Sequence, residues 1–107
     1  MSEAHIKEEY NEKLLKELEI SNANGEPTEN IKVLFSNLAI LEIESERYNF
    51  VSDYYKSKLV DKGYERCLFY MSKFNPERSD RPSAYFTIVL RSTYIRDIHK
   101  KRKEQSP

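Results

Sequence analysis

Apolar residues recur at helical intervals in several stretches of the chain, and polar segments with glycine or proline separate these stretches. In the first stretch, residues 4–20, successive apolar side chains are four positions apart, which predicts a surface helix or a docking arm. These side chains are Ile6, Tyr10, Leu14 and Leu18. The next segment, SNANGEP at residues 21–27, contains Gly25 and Pro27 and therefore predicts a loop.

The second stretch is the most hydrophobic, and it opens with residues that favour a helix start. Thr28 can act as an N-cap, and the carboxylate of Glu29 suits the positive end of the helix dipole. We expect this helix to form the centre of the core and to end near residues 46–48. Its apolar positions are Ile31, Leu34, Phe35, Leu38, Ala39 and Leu41, with Ile40 and Ile43 widening the face.

The second half of the chain predicts two further helices with a polar turn between them. Asn49 or Ser52 could cap the first of these, after a bend in residues 49–55, and this helix ends at Phe74. One of its faces carries Leu59, Tyr64, Cys67 and Met71. The boundary lies at Asn75-Pro76, because a residue before proline is disfavoured in the helical region.

The last helix is predicted from Pro82 to Lys103, because proline is tolerated in a first helical turn. Its predicted apolar face carries Ala84, Ile88, Ile95 and Ile98. Together these elements predict an all-α fold, a small bundle of about four helices in a single domain, residues 1–107. The predicted buried cluster comprises Phe35, Leu38, Leu41, Leu59, Leu68 and Phe74.

Composition supports this fold and narrows the chemistry. Only 2 glycines occur among 107 residues, which argues against a sheet with many tight turns and against a phosphate-binding glycine loop. His5 and His99 are far apart, and neither has metal-ligand spacing with Cys67. We therefore expect no enzyme, no metal and no cofactor, and we expect Cys67 to be a small buried hydrophobe.

The charges are divided unevenly along the chain, although the net charge is zero. Residues 1–46, the predicted acidic N-terminal helices, carry 11 glutamates and 4 lysines, a balance of −7. Residues 47–107 carry 14 Lys or Arg and 7 Asp or Glu, a balance of +7. This asymmetry is typical of an acidic arm beside a basic binding surface. The chain shows no membrane-length apolar run and no signal sequence, so no membrane contact is predicted.

The basic residues concentrate at the end of the last helix, where 6 Lys or Arg lie between Arg91 and Lys103. They spread over more than one helix face and suit phosphate contacts, but a solvated helix end that complements the dipole explains them equally well. Tyr85, Phe86 and Tyr94 are interleaved with this charge. Such rings suit single-stranded DNA, whose exposed bases stack on them. Alternatively two of the three are core residues, and we expect Phe86 to be one.

Several short motifs in this half carry a family resemblance. The run KLVDKGYERCLFYMSKFNPERSDRPSAYFTIVLRSTYIR, residues 58–96, resembles conserved region 2 of sigma-70-class transcription initiation factors, in which a short polar turn joins two helices. Pro-Ser-Ala-Tyr at 82–85, the basic end KKRKE at 100–104 and SERYNF at 45–50 are similar to motifs of the late-transcription sigma factors of T-even-type bacteriophages.

The resemblance implies a factor of the host bacterial cytoplasm that binds host core RNA polymerase through the coiled coil of its largest subunit. It further implies that the factor directs polymerase to an A·T-rich −10 promoter element, supports DNA opening and works with a phage co-activator. Tyr85 matches the position whose ring receives a base flipped from the opened promoter. The implied polymerase contacts are Lys58, Asp61, Lys62, Glu65, Arg66 and Leu68. The predicted DNA contacts are Tyr85, Arg91, Ser92, Tyr94, Ile95, Arg96, His99, Lys100, Arg102 and Lys103.

Departures from the family pattern favour an alternative function. Ile88 and Val89 stand where bacterial members have paired tryptophans, and Arg66 replaces a glycine of the core-binding helix. The alternative is a helical protein-interaction module, an anti-sigma factor or transcription regulator. Such a module would occupy the sigma site on RNA polymerase without opening promoters.

Overall fold

The computed structural model describes residues 3–105 of the chain, and the side chains of residues 8–103. The helices in this range are α1 (Glu3–Asn24), α2 (Glu29–Ile43), α3 (Asp53–Tyr70) and α4 (Pro82–Gln105), with 3-10 turns at Glu46–Tyr48 and Met71–Lys73. The described residues contain no strand, and the predicted all-α bundle of about four helices is confirmed. None of these helices combines the length and the apolarity needed to span a membrane.

Hydroxyl side chains begin both α2 and α3. Thr28 Oγ1 accepts a hydrogen bond from the Ile31 amide at 3.1 Å, which confirms Thr28 as the N-cap of α2. Ser52 Oγ accepts a hydrogen bond from the Tyr55 amide at 3.2 Å and caps α3. Of the two residues proposed for that cap, Ser52 is therefore correct, and Asn49 lies in the preceding turn.

The end of α1 lies inside the segment that was predicted to be a loop. The buried Ser21 hydroxyl accepts a hydrogen bond from the Thr28 amide at 3.0 Å. Asn22 Nδ2 donates to the carbonyl of Met71, the residue just after α3, at 3.3 Å. These long-range contacts hold two polar residues in a last helical turn that their own preferences do not predict. Gly25, with φ at +77°, then ends the helix in the left-handed region that favours glycine.

One hydrophobic core receives side chains from all four helices. Of the predicted cluster it contains Phe35, Leu38, Leu59 and Phe74, with Leu68 partly buried at its edge. Leu41 is an error in that prediction, because its side chain is 62% exposed. Apolar residues lie all around α2, so their spacing does not reveal which side of this helix packs against the other helices.

The buried face of α4 also differs from the predicted one. It carries Phe86, Leu90, Tyr94 and Ile98 at intervals of four. Among the predicted positions Ala84, Ile88 and Ile95 are exposed, and only Ile98 is buried. A prediction from aliphatic residues alone misses the buried face of α4, because two of the four side chains on that face are aromatic. The Phe86 and Phe35 ring centroids lie 4.6 Å apart and join α4 to α2.

α1 completes the bundle by packing against α2 and α4. Leu14 and Leu18 of the predicted stripe are buried, whereas Ile6 lies outside the described side chains. Asn11 Oδ1 accepts a hydrogen bond from the Ser83 amide at 2.8 Å. A side chain of α1 therefore satisfies one of the backbone donors that the first turn of α4 leaves open.

The α3 and α4 helices approach each other closely at Gly63. A β-carbon at this position would lie 2.6 Å from Leu90 Cδ2 and 2.7 Å from Tyr94 Cε1, both in fully buried side chains. The absence of a side chain at Gly63 thus lets the two helices meet with little space between them. On the surface, residues of α3 and α4 consequently touch across a narrow line, which we call the α3–α4 seam.

Candidate nucleic-acid interface

Contacts along the seam show that α3 and α4 run in opposite directions. Near the Asn75–Arg81 turn, residues at the end of α3 face the beginning of α4 around a shallow groove of about 300 Å³. Its lining includes Arg66 and Tyr70 from α3 and Tyr85, Val89, Ser92 and Arg96 from α4. At the other end of the seam, Tyr55 lies against Asp97 and Lys101. The seam therefore extends along most of both helices.

Cations and aromatic rings cluster on the α3 side of the groove. Arg66 Cζ lies 5.1 Å from the ring centroids of both Phe69 and Tyr70, and its Nη2 donates to the Tyr70 hydroxyl at 3.3 Å. Lys73 Nζ lies 4.8 Å from the Phe69 ring centroid. Phe69 remains 55% exposed beside these charges. Sequence reasoning assigned none of the Phe69, Tyr70 and Lys73 side chains to a site, although their spacing of three to four from Arg66 or from each other was a usable signal.

Tyr85 is the aromatic residue that α4 contributes to the groove. Its half-buried ring packs against Phe74 and Phe86, with centroids 5.2 and 5.0 Å away and interplanar angles of 67° and 83°. These edge-to-face contacts hold the ring at the groove while leaving part of it accessible. Tyr85 therefore has the placement expected of a stacking residue.

Phe86 and Tyr94 belong to the core, so the interpretation that two of the three rings are structural is confirmed. The prediction that Tyr94 contacts DNA is wrong, because this side chain is fully buried. Its hydroxyl donates to the Ala39 carbonyl at 2.8 Å, and burial raises the pKa of the phenol. Its position on the face of α4 that meets α2 removes it from any surface.

Arg91, another predicted DNA contact, is hydrogen-bonded to the buried carboxylate of Glu42. Its Nε and Nη2 donate to the two carboxylate oxygens of Glu42, each at 3.2 Å, and this hydrogen bonding raises the pKa of Arg91. The Tyr48 hydroxyl donates to Glu42 Oε2 at 2.6 Å, and Arg47 Nε lies 3.9 Å from the same oxygen. Glu42 is only 7% exposed, so Arg91 serves to balance a charge that the fold has buried.

The remaining predicted DNA contacts on α4 are exposed and follow two lines. Ser92, Arg96, Lys100 and Lys103 lie three to four residues apart, in a line that starts at the groove. Ile95, which is 40% exposed, His99 and Arg102 form a neighbouring line toward the end of α2. Among residues 8–103, no carboxylate forms an ion pair with the Arg or Lys members of either line. These cations are available to an anionic partner.

Asp97 ties the middle of the seam together. It accepts hydrogen bonds from the Tyr55 hydroxyl and, at 2.5 Å, from Lys62 Nζ. Burial acts to raise the pKa of this carboxyl, but the bonds from Lys62 and Tyr55 outweigh it, and the pKa lies below its usual range. The contact fixes the separation of α3 and α4 beyond Gly63.

The six residues predicted to contact polymerase fall into two groups on α3. Lys58, Asp61 and Glu65 are exposed on the outer face, with Leu68 half-buried beside them. Lys62 and Arg66 instead point toward α4, one in the ion pair with Asp97 and the other at the groove. The structure therefore separates an outer face of α3 from the seam.

A second, larger depression of about 700 Å³ lies between α1, α2 and α4. Leu41 and Ile88, each 62% exposed, are among its apolar lining residues, and Glu8 and Arg81 lie at its charged edge. Leu41 and Ile88 were both predicted to lie on buried faces, and both instead line this depression.

Cys67 is fully buried, as predicted for a small hydrophobe, and burial raises the pKa of its thiol to about 12. Among the described residues, no three His, Cys, Asp or Glu side chains are grouped so that they could hold a metal ion.

Comparison with known proteins adds no relative. No family model, no curated protein and no solved structure matches the chain. Function is therefore inferred from the residues of this chain and from their resemblance to the sigma-factor motifs.

Proposed function

We propose that this domain is a sigma-type transcription factor that docks on core RNA polymerase through α3 and contacts opened promoter DNA along the α3–α4 seam. The observation that carries the proposal is the groove at the Asn75–Arg81 turn, where Tyr85, Tyr70, Arg66 and Arg96 surround one depression. Flat rings and unpaired cations in one place suit bases and phosphates at once. The motif resemblance places a base-accepting ring at the same residue, Tyr85.

The division of α3 into two faces supports this scheme. Its outer face presents Lys58, Asp61 and Glu65, charges that can pair with a protein surface. Its inner edge presents Arg66 to the groove, beside the α4 residues Ser92 and Arg96. The outer face of α3 can thus contact polymerase, while the inner edge of α3 and the neighbouring helix α4 contact DNA.

The proposed DNA contacts differ from those expected from sequence. Tyr94 is excluded by burial, and Arg91 is tied to Glu42. Tyr85, Ser92 and Arg96 remain in the groove, with the cations Lys100 and Lys103 continuing from it. With so few phosphate contacts, we expect the isolated domain to bind promoter DNA weakly and to depend on polymerase for affinity.

A protein-interaction module is the second candidate, and one observation favours it. The depression between α1, α2 and α4 exposes Leu41 and Ile88 together, an apolar surface that DNA opening does not require. In this case the domain would occupy the sigma site on polymerase without opening DNA.

Permanganate footprinting of unpaired thymines on an A·T-rich promoter tests the proposal, with purified bacterial core polymerase and this protein. We expect the wild-type chain to produce reactive thymines and Tyr85→Ala to abolish them with polymerase binding retained, because the stacking ring is gone. Tyr85→Phe keeps the ring and should open the promoter normally.

Two further variants separate DNA contact from folding, since Tyr85 also touches Phe74 and Phe86. Arg96→Ala removes an exposed cation and should weaken promoter binding and reduce the log–log salt slope by about one. Ala84→Ser, an exposed change outside the small groove, should leave both readouts unchanged. If wild-type protein binds polymerase and never opens DNA, the interaction module is the correct function.

A further inference from the structure

A second group of rings and cations lies at the far end of the α3–α4 seam, away from the groove. Arg102 Cζ is 5.1 Å from the Phe50 ring centroid, Lys101 Nζ is 4.1 Å from that of Tyr55, and Lys58 Nζ is 4.7 Å from that of Tyr54. We call these six residues the Phe50 cluster, and one of them, Lys58, also belongs to the outer face of α3. Sixteen positions of α4 separate Tyr85 from Lys101, so Lys101 lies about 24 Å along the helix from Tyr85.

Two rings of the cluster are exposed on a firmly held backbone. The side chain of Phe50 is 61% exposed and that of Tyr54 is 70% exposed. Phe50 lies between the buried residues Tyr48 and Val51, and the Val51 amide donates to the Tyr48 carbonyl at 3.0 Å. Tyr54 lies in the first turn of α3, directly after its cap. Both rings are therefore presented to solvent without the entropy cost of ordering a loose loop.

The charge of the Phe50 cluster is not neutralised by the rest of the domain. Among residues 8–103, Lys58, Lys101 and Arg102 form no ion pair. Asp97, the carboxylate beside Tyr55, is already bound by Lys62. A partner of this cluster must therefore supply negative charge and flat apolar surfaces together.

We propose that the Phe50 cluster binds single-stranded nucleic acid, with bases stacked on Phe50 and Tyr54 and phosphates held by Lys101 and Arg102. Unpaired bases and their phosphates alternate along one strand and match rings interleaved with cations. A duplex hides the faces of its bases, and an acidic peptide offers no flat groups to the rings. The proposal goes beyond promoter opening, because this contact needs neither polymerase nor a promoter sequence.

Fluorescence anisotropy with a labelled oligothymidylate and the full chain, without polymerase, tests this contact. The variant Phe50→Leu/Tyr54→Leu retains apolar bulk but removes both stacking rings, and we expect its affinity to fall by roughly tenfold per ring. The matched variant Phe50→Tyr/Tyr54→Phe exchanges the two ring types and should bind as the wild type does. Both substituted positions, Phe50 and Tyr54, are exposed, so circular dichroism should show an unchanged fold for each variant.

A second pair of measurements tests the phosphate contacts and the class of partner. Lys101→Gln/Arg102→Gln should reduce the log–log salt slope by about 0.7 per lost contact, the value for single strands. Blunt duplex DNA and polyglutamate should compete poorly with the oligothymidylate. Equal binding by the Phe50→Leu/Tyr54→Leu variant would refute stacking, and competition by polyglutamate as strong as that of the oligonucleotide would instead identify an acidic protein surface as the partner.

These outcomes are independent of the proposed function. Loss of promoter opening with oligothymidylate binding intact would overturn the sigma-type proposal alone. Promoter opening that depends on Tyr85, with oligothymidylate binding that ignores both rings of the cluster, would overturn the Phe50 cluster alone.

Discussion

Aromatic and basic residues are buried or paired on one side of α4 and accessible on the other. On the side facing α2, the rings of Phe86 and Tyr94 are fully buried, and Arg91 is held by the buried carboxylate of Glu42. On the side facing α3, Tyr85 keeps part of its ring accessible, and Arg96 forms no ion pair among the described residues. Aromatic and basic residues occur on both sides of the helix, but Phe86, Arg91 and Tyr94 are taken up by the fold, whereas Tyr85 and Arg96 remain accessible.

This difference shows that a basic, aromatic helix is not by itself a binding surface. An arginine becomes structural when the neighbouring helix buries an acid within its reach, as Glu42 does for Arg91. A tyrosine becomes structural when its hydroxyl finds a buried carbonyl, as that of Tyr94 does. The residues that lack such partners are the ones that can bind nucleic acid, and they lie along the α3–α4 seam.

The largest expected effect concerns the α2 side of α4. Replacing Phe86 by Ala removes a fully buried ring that touches Phe35, Phe74 and Tyr85, and should lower the free energy of unfolding by about 3–5 kcal/mol. Ile88→Ala, two positions away and 62% exposed, should change it by no more than about 0.5 kcal/mol. Urea denaturation of both variants measures the contrast. Equal losses would mean that Phe86 is no more central to the core than the exposed Ile88.

The next effect separates two arginines of the same helix. Arg91→Ala leaves the buried Glu42 carboxylate without its bidentate partner and should cost about 1–3 kcal/mol of stability. Arg96→Ala should leave stability within about 0.5 kcal/mol, since that side chain is exposed. A double-mutant cycle with Glu42→Gln would measure the coupling directly. No coupling between positions 42 and 91 would return Arg91 to the candidate DNA contacts.

The smallest effect concerns the seam and depends on pH. The pKa of Asp97 is lowered in the folded protein. Its contacts with Lys62 and Tyr55 therefore stabilise the fold at pH values above the ordinary pKa of a carboxyl group. This contribution is lost as the pH falls through the folded-state pKa. Asp97→Asn should therefore cost less than about 1 kcal/mol at neutral pH and nothing at acidic pH.

Denaturation midpoints over a series of pH values test this sign. Asp61→Asn is the matched control, because Asp61 is exposed on α3 and forms no ion pair among the described residues. Its difference from the wild type should not vary in the same way with pH. A deficit of Asp97→Asn that grows toward acidic pH would contradict the assigned role of the carboxylate.

Features that depend on neighbours along the chain were predictable. The four helices, the cap at Thr28 and the boundary at Pro76 all follow from periodicity and from backbone preferences of single residues. The burial of Phe86 and the accessibility of Tyr85 were also among the interpretations that the sequence allowed. Phe86 was expected in the core, and the motif resemblance assigned Tyr85 to the DNA surface.

Features that depend on distant residues were not predictable. Leu41 and Ile88 read as core residues because they are apolar, but both point into the depression between α1, α2 and α4. α1 continues past residue 20 to Asn24, where Asn22 Nδ2 donates to the Met71 carbonyl, 49 positions away along the chain. The Phe50 cluster likewise joins residues about 50 positions apart, which become neighbours only when α4 returns antiparallel to α3.

The sequence alone therefore determined that the chain is an all-α bundle, where α2 and α4 begin, and that its basic charge lies in the second half. These properties are local or additive, and neither requires knowledge of which helices touch. Only the tertiary structure decided that Arg91 balances Glu42, that Tyr94 is buried and that the free rings and cations gather along the α3–α4 seam. The reason is that each helix carries apolar residues on more than one side, and packing against its neighbours selects which side is buried and which remains free to bind.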